Sequence, residues 1–220
     1  MTYVLLPGAG GDPWYWHLVA PLLRERGDEV LTPRLPAADD SAGLREYADA
    51  ALREIGNRGD LTVVAQSLAA FVAPMLCARA DVRRMILVVP MIPAAGETPG
   101  EWWQASGQLA AMREQDLRDG RDPDAPFDPV TMFLHDLSPD VRAAAMAGEP
   151  EQSGRPMEDV WPLETWPDVP TKVIAGRHDR LLPLEFMRRL ARERLGIDPE
   201  VIDSGHLPAL ARPRELAALL

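Results

Sequence analysis

Lysine and cysteine are almost missing from this chain: Lys172 and Cys77 stand alone among 220 residues. A single cysteine excludes an internal disulfide and any cysteine-based metal cluster, and it fits a reducing compartment such as the cytoplasm. Cys77 is expected to be a buried, inert thiol on a helix. A single lysine leaves every lysine-dependent mechanism to Lys172. Positive charge is also short, with 23 Lys and Arg against 34 Asp and Glu and a formal net charge of −11. That balance argues against nucleic acid or an anionic membrane surface as a partner. The opening Met1 to Gly8 has no basic stretch, and its apolar run is too short for a signal peptide or a membrane span, so a soluble, cytoplasmic protein is expected. Histidines and acids show no metal-ligand spacing, so no metal and no organic cofactor is expected. There is no internal repeat or low-complexity segment, and nothing in the sequence points to an oligomeric state.

What the chain does have is an alternation of short apolar runs with helical patterns. Candidate strands are Tyr3 to Leu6, Glu29 to Thr32, Leu61 to Gln66, Arg84 to Val89, Lys172 to Ala175 and Glu200 to Ile202. Their apolar residues are continuous rather than alternating, the mark of a parallel sheet covered on both faces. Helices are expected over Trp14 to Arg26, from Ser41 as cap to Ile55, from Ser67 to about Arg79 with a kink or break at Pro74, over Leu184 to Leu195, and from Pro213 onward. The expected fold is therefore α/β, a mostly parallel sheet of about six strands with helices on both faces, in one domain over 1–220. Residues 91–170 interrupt the alternation with no strand-like run and two helical patches, Glu101 to Leu117 and Ser138 to Met146. An insertion there reads as a helical lid over the sheet's C-terminal edge, where open α/β folds bind ligands.

The chain is organised around Leu61-Thr-Val-Val-Ala-Gln-Ser67-Leu-Ala-Ala-Phe71, an apolar strand that stops at a serine and restarts as a helix. Such a strand-turn-helix holds the serine in a strained conformation with its hydroxyl above the sheet, and small residues, here Ala65 and Ala69, let the helix double back. Ser67 is the candidate nucleophile. Acyl transfer by serine also needs a base and a carboxylate that orients it. The fifth strand ends in Ala175-Gly-Arg-His-Asp179 and the sixth in Asp203-Ser-Gly-His206, which puts both partners on loops at the same sheet edge in the order Ser, Asp, His. His178 beside Asp179 is a decoy, since adjacent side chains on a loop diverge. His17 packs or faces solvent, and His135-Asp136 is read as structural. The loop Pro7 to Gly11 can turn backbone N–H groups inward, so that Ala9 and Leu68 become candidate oxyanion donors. Gly8, Gly10 and Gly11 do not make a G-x-G-x-x-G, and no G-x-x-x-x-G-K follows, so neither phosphate-loop pattern is met.

With Pro7-Gly-Ala-Gly-Gly-Asp-Pro-Trp14-Tyr-Trp16, Ala65-Gln-Ser67-Leu-Ala69, Gly176-Arg-His-Asp179 and Gly205-His206 in view, the chain resembles the α/β-hydrolase superfamily. Within it the chain is similar to the small group of plant methyl esterases and hydroxynitrile lyases and their bacterial relatives. The resemblance spans nearly the whole chain and is weakest in 91–170. It implies the triad Ser67, Asp179 and His206 with Ala9 and Leu68 as oxyanion donors. Pro7 stands where the family has histidine, and alanines flank the serine where glycines are usual.

The expected function is that of a serine hydrolase acting on a small apolar or aromatic ester through an acyl-enzyme. Gln66, Trp102, Trp103, Met132 and Phe133 are candidate substrate contacts, the last four as apolar residues of the insertion. Alternatives are an enzyme that transfers or cyclises an acyl chain with the same residues, a lyase, and a ligand-binding homologue without catalysis. As the resemblance implies, lyases of this group use a lid lysine and a hydroxyl beside the oxyanion loop; this insertion has no lysine and Ala9 has no hydroxyl. Dehalogenase or epoxide hydrolase chemistry would want an aspartate where Ser67 stands.

Overall fold

A computed structural model describes residues 1–148 and 151–220. In chain order it contains β1 (Thr2–Leu6), α1 (Ala20–Glu25), β2 (Glu29–Leu31), α2 (Leu44–Ile55), β3 (Leu61–Gln66), α3 (Ala73–Leu76) and β4 (Val82–Val88). There follow α4 (Pro99–Ala105), α5 (Gln108–Arg118), α6 (Pro129–Phe133) and α7 (Pro139–Ala147), and then β5 (Thr171–Gly176), α8 (Leu184–Leu195), β6 (Glu200–Ile202), α9 (Pro208–Ala211) and α10 (Pro213–Leu219). The six strands form one sheet in the order β2-β1-β3-β4-β5-β6, and every neighbouring pair is parallel.

Strand side chains alternate between two cores, which is why the strands read as unbroken apolar runs. Val4, Leu6, Val63, Ala65, Met85 and Leu87 pack with Tyr47, Ile55, Leu76 and Leu190 of α2, α3 and α8. Tyr3, Leu5, Val64, Ile86 and Val88 pack on the other face with Leu23 of α1 and Leu216 of α10. All of β3 is buried, in the interior of the sheet between β1 and β4.

Several helix expectations change in detail. The pattern over Trp14 to Arg26 is a 3-10 turn at Pro13–Trp16, capped by the Asp12 side chain on Trp14 N–H, and then the short α1. Ser41 does not cap α2; its N–H and hydroxyl both turn back to Asp39, and Gly43 is the cap instead. Glu46 closes that end on the Gly43 N–H, while Asp159, 115 residues away, accepts from Leu44 N–H at 2.8 Å. The helix after Ser67 is a 3-10 segment, Ser67–Phe71, followed by the single turn α3 with Pro74 near its start. Proline lacks the N–H that a continuous helix would need there, so the segment changes helix type at Val72.

Residues 89–170 separate β4 from β5 and carry α4 to α7; two of them, 149 and 150, lie outside the described residues. The expected single patch over Glu101 to Leu117 is two helices, α4 and α5. They are broken at Gly107, whose φ of +75° suits glycine and not an L side chain. The insertion is tied to α8 by Glu97 and Arg194: Arg194 donates to both Glu97 oxygens at 2.5 and 2.9 Å and to Ile92 O at 2.5 Å. The Arg194 and Glu97 side chains are 14% and 7% exposed, so removing one partner strands a charge. Glu97→Ala is expected to lower unfolding stability by about 3 kcal/mol, measured as the change in urea midpoint at constant m-value. Among the described residues no helix is long and apolar enough to cross a membrane.

Candidate active site

The C-terminal end of β3 runs straight into a strained turn. Ser67 has φ of +51°, a left-handed conformation that costs a non-glycine residue of order 1–3 kcal/mol. The cost is held by the surroundings: Ser67 O accepts from Met91 N–H at 3.1 Å, and Trp161 donates from Nε1 to Phe71 O at 3.0 Å. Val89, at the end of β4 beside this turn, is itself at φ of +41° and is anchored by its N–H to Ile174 O at 2.8 Å. Ala65 and Ala69 are buried at 0% and 1% exposure, so the two methyl groups fill space that glycines would leave empty.

The loops after β5 and β6 bring two more groups to Ser67. Its Oγ lies 3.1 Å from His206 Nε2, and His206 Nδ1 lies 2.8 Å from Asp179 Oδ2. The second Asp179 oxygen accepts from the N–H groups of Leu181 and Leu182, both at 2.9 Å. All three side chains are nearly out of solvent, at 7%, 3% and 0% exposure for Ser67, His206 and Asp179. This is one hydrogen-bonded line in which Asp179 fixes the imidazole with a proton on Nδ1, leaving Nε2 free to accept from the serine hydroxyl.

His206 is held from several sides. Gln66, a candidate substrate contact, donates from Nε2 to His206 O at 3.3 Å and is 4% exposed, so its amide is engaged in positioning the loop. Asp136 Oδ2 accepts from Gly205 N–H at 2.6 Å and from Ser204 Oγ at 3.3 Å. Gln115 reaches the Asp179 carbonyl at 3.2 Å from α5. The Gln115 and Asp136 contacts were not legible in the sequence, where 64 and 69 residues separate the partners. The only signal was the adjacency of His135 and Asp136.

A close approach fixes the two loops to each other. A Cβ on Gly176 would lie 2.7 Å from both Ser204 O and Gly205 O, which are backbone atoms and cannot swing away. Gly176→Ala is expected to force the β5 and β6 ends apart and to lower stability by roughly 1–3 kcal/mol, with a weaker His206 contact. Thermal melting together with the histidine proton resonances of the variant checks both effects.

The remaining candidates fall into distinct places. Phe133 packs its ring 5.4 Å from the His206 ring and touches Phe127, so α6 lies against the site. Met132 is buried in the core behind it and Trp103 stacks edge-on to Trp102. Trp102 corrects the expectation of a substrate contact. It is fully buried, donates from Nε1 to Ile92 O at 2.8 Å and packs edge-on to Phe186, which makes it part of the core that seats the insertion on α8. His178 is exposed and points to Asp203 at 2.8 Å, away from the line it was expected not to join. His17 is exposed, with Nδ1 against Trp14 O. Cys77 is half-buried on the chain just after α3, and burial pushes its thiol pKa up to about 11, which leaves it protonated and unreactive.

The N–H groups of Ala9 and Leu68 make no hydrogen bond to a protein acceptor among the described residues. The neighbouring Gly10 N–H is spoken for by Gln152 Oε1 at 2.9 Å, and Gln152 in turn donates to Tyr47 Oη and Ser153 O. The loop after β1 is thus fastened at Gly10 and open at Ala9. Among the described residues no group of three or more His, Cys, Asp or Glu is placed to hold a metal ion.

A family model described as the α/β hydrolase family matches residues 3–219. No curated protein sequence matches the chain. Among solved structures, a pyrethroid hydrolase from Sphingobium faniae JZ-2 superposes with a TM-score of 0.75 at 18% identity, covering 100% of this chain and 95% of that one. An extracellular α/β-hydrolase from a Paenibacillus species gives 0.76 at 15% identity, covering 100% and 97%. The methylesterase MES16 from Arabidopsis gives 0.75 at 15% identity, covering 100% and 96%. At these identities the likeness is one of fold.

Proposed function

Because the chain belongs to the α/β-hydrolase family, we propose that it is a serine hydrolase of the esterase type, acting on a small apolar or aromatic ester. The observation that carries this reading is the continuous line from Ser67 Oγ through His206 to Asp179, held in nearly dry surroundings. In the proposed reaction the Ser67 oxygen attacks the ester carbonyl as its proton passes to His206 Nε2. The imidazolium then protonates the departing alcohol, which leaves an acyl-enzyme on Ser67. Water, deprotonated by the same nitrogen, releases the acid and restores the serine. Asp179 stays ionised throughout, keeping the ring oriented and stabilising its positive charge.

The free N–H groups of Ala9 and Leu68 are the proposed donors to the oxyanion, each worth about 3 kcal/mol of barrier. Phe133 against His206, with the insertion that carries it, supplies the apolar side of the pocket, and residues 91–170 act as the lid. Ester-cleaving names among the structural neighbours, a methylesterase and polyneuridine aldehyde esterase, agree with this substrate class. The lyase alternative has little to stand on, since Lys172 lies in β5 and donates to Leu219 O. A series of p-nitrophenyl esters from acetate upward tests the proposal. Turnover of short esters is the expected result, and a protein inert to the entire series while folded would contradict it.

A further inference from the structure

A cavity of about 450 Å³ is lined by Gln115, Arg118, Arg121, His135, Arg177 and Arg180 together with Asp119, Asp136 and Glu185. Neither Ser67 nor His206 borders it. In a chain with a net charge of −11, four guanidinium groups against three carboxylates make this wall an exception to the overall charge.

Most carboxylate oxygens that share the wall are engaged, the exception being Asp136 Oδ1, which is buried without a partner among the described residues. Asp119 pairs with Arg121 at 2.8 Å, Glu185 with Arg188 at 2.6 Å, and Asp136 accepts from the backbone of Gly205. Asp203 outside the cavity takes Arg177 and His178. Arg118 and Arg180 have no carboxylate within ion-pair distance among the described residues: Arg180 donates to Thr131 O at 3.0 Å and Arg118 to Glu114 O at 3.2 Å. Arg121, although paired through Nε and Nη1, keeps its Nη2 buried without any partner. Burial first, and then repulsion from Arg121, hold the Arg180 pKa below its ordinary value, with Asp119, Asp116 and Asp136 opposing the shift.

We infer that this cavity binds a small free oxyanion, a carboxylate or phosphate group, through Arg118, Arg121 and Arg180. Guanidinium forks match the two-oxygen edge of either group, and a partly buried setting strengthens such charge-assisted hydrogen bonds. Because neither Ser67 nor His206 borders the cavity, the ligand is a separate anion and not the reacting ester. The inference needs no particular chemistry at Ser67.

Calorimetric titration of the folded protein with inorganic phosphate, and separately with succinate, at pH 7.5 tests it. One site per chain is expected for at least one of the two anions, and their relative affinities tell which oxyanion the cavity prefers. Arg118→Gln with Arg180→Gln should weaken that binding tenfold or more. Arg53→Gln, an exposed arginine of α2 far along the chain, should leave it unchanged. Arg118→Gln alone, an exposed change, serves where the double variant does not fold and should still weaken binding several-fold. Absence of binding by both anions up to 10 mM (about the weakest affinity worth calling a site, roughly −3 kcal/mol) would overturn the inference. So would equal losses in the Arg53 and Arg118 variants, or full reproduction of the effect by sodium chloride at matched ionic strength.

Discussion

Ser67→Ala is expected to abolish ester turnover, with kcat falling on the order of 10⁶, the size of the loss when a serine of this type is removed from the protease subtilisin. The reason is local. Among the described residues Ser67 carries the one hydroxyl hydrogen-bonded to His206 Nε2, at 3.1 Å, and removing it takes away the group that this base would deprotonate. Stability should not fall with it. Ser67 is held at φ of +51° whether or not it carries a hydroxyl, so alanine inherits the same strain, and the variant should melt within a few degrees of the parent. An intact melting transition with turnover lost separates chemistry from folding. Turnover retained in this variant would remove Ser67 from the reaction.

Asp179→Asn should lower kcat by about 10⁴ while keeping the geometry, as in the handed-down serine-protease pattern where the amide fixes the wrong tautomer. Here the direction of the amide can be derived. The Oδ1 position accepts two backbone N–H groups, from Leu181 and Leu182, so the amide oxygen takes that side and the NH₂ is left facing His206. An NH₂ opposite Nδ1 forces that nitrogen to accept, which moves the ring proton to Nε2. His206 would then donate toward Ser67 instead of accepting from it. Asp179→Ala would lose the same orientation and also leave the Leu181 and Leu182 N–H groups unpaired in the interior. It should therefore cost stability as well, about 1–3 kcal/mol for each stranded group. Proton resonances of the imidazole in the two variants, set beside their kcat values, distinguish a displaced proton from a displaced ring.

Much of this arrangement was legible in the chain because it depends on local pattern. The runs at residues 63–65 and 85–88 are continuous and apolar since each residue meets one of two cores. The order of Ser67, Asp179 and His206 follows from each lying at the end of a strand in a parallel sheet. What the chain could not reveal are contacts made across long separations. Trp102 reads as an apolar residue of an insertion, yet its indole N–H finds Ile92 O and its ring finds Phe186 of α8, so it is core. Gln66 reads as a pocket residue beside the nucleophile, and its amide instead reaches the carbonyl of His206, 140 residues on. The break between α4 and α5 turns on the left-handed Gly107, and the 3-10 form after Ser67 on the strained serine and on Pro74. Periodicity averages over such single positions.

The central claim is that Ser67 is a nucleophile activated by His206. Labelling of the folded protein with a fluorophosphonate, followed by peptide mapping, tests it most directly, because the reagent captures a serine oxygen only where a base and an oxyanion site act on it together. The account predicts one adduct, on the peptide carrying Ser67, absent from Ser67→Ala and strongly slowed in Asp179→Asn. Folded protein that stays unlabelled, or an adduct that persists in Ser67→Ala, would contradict it.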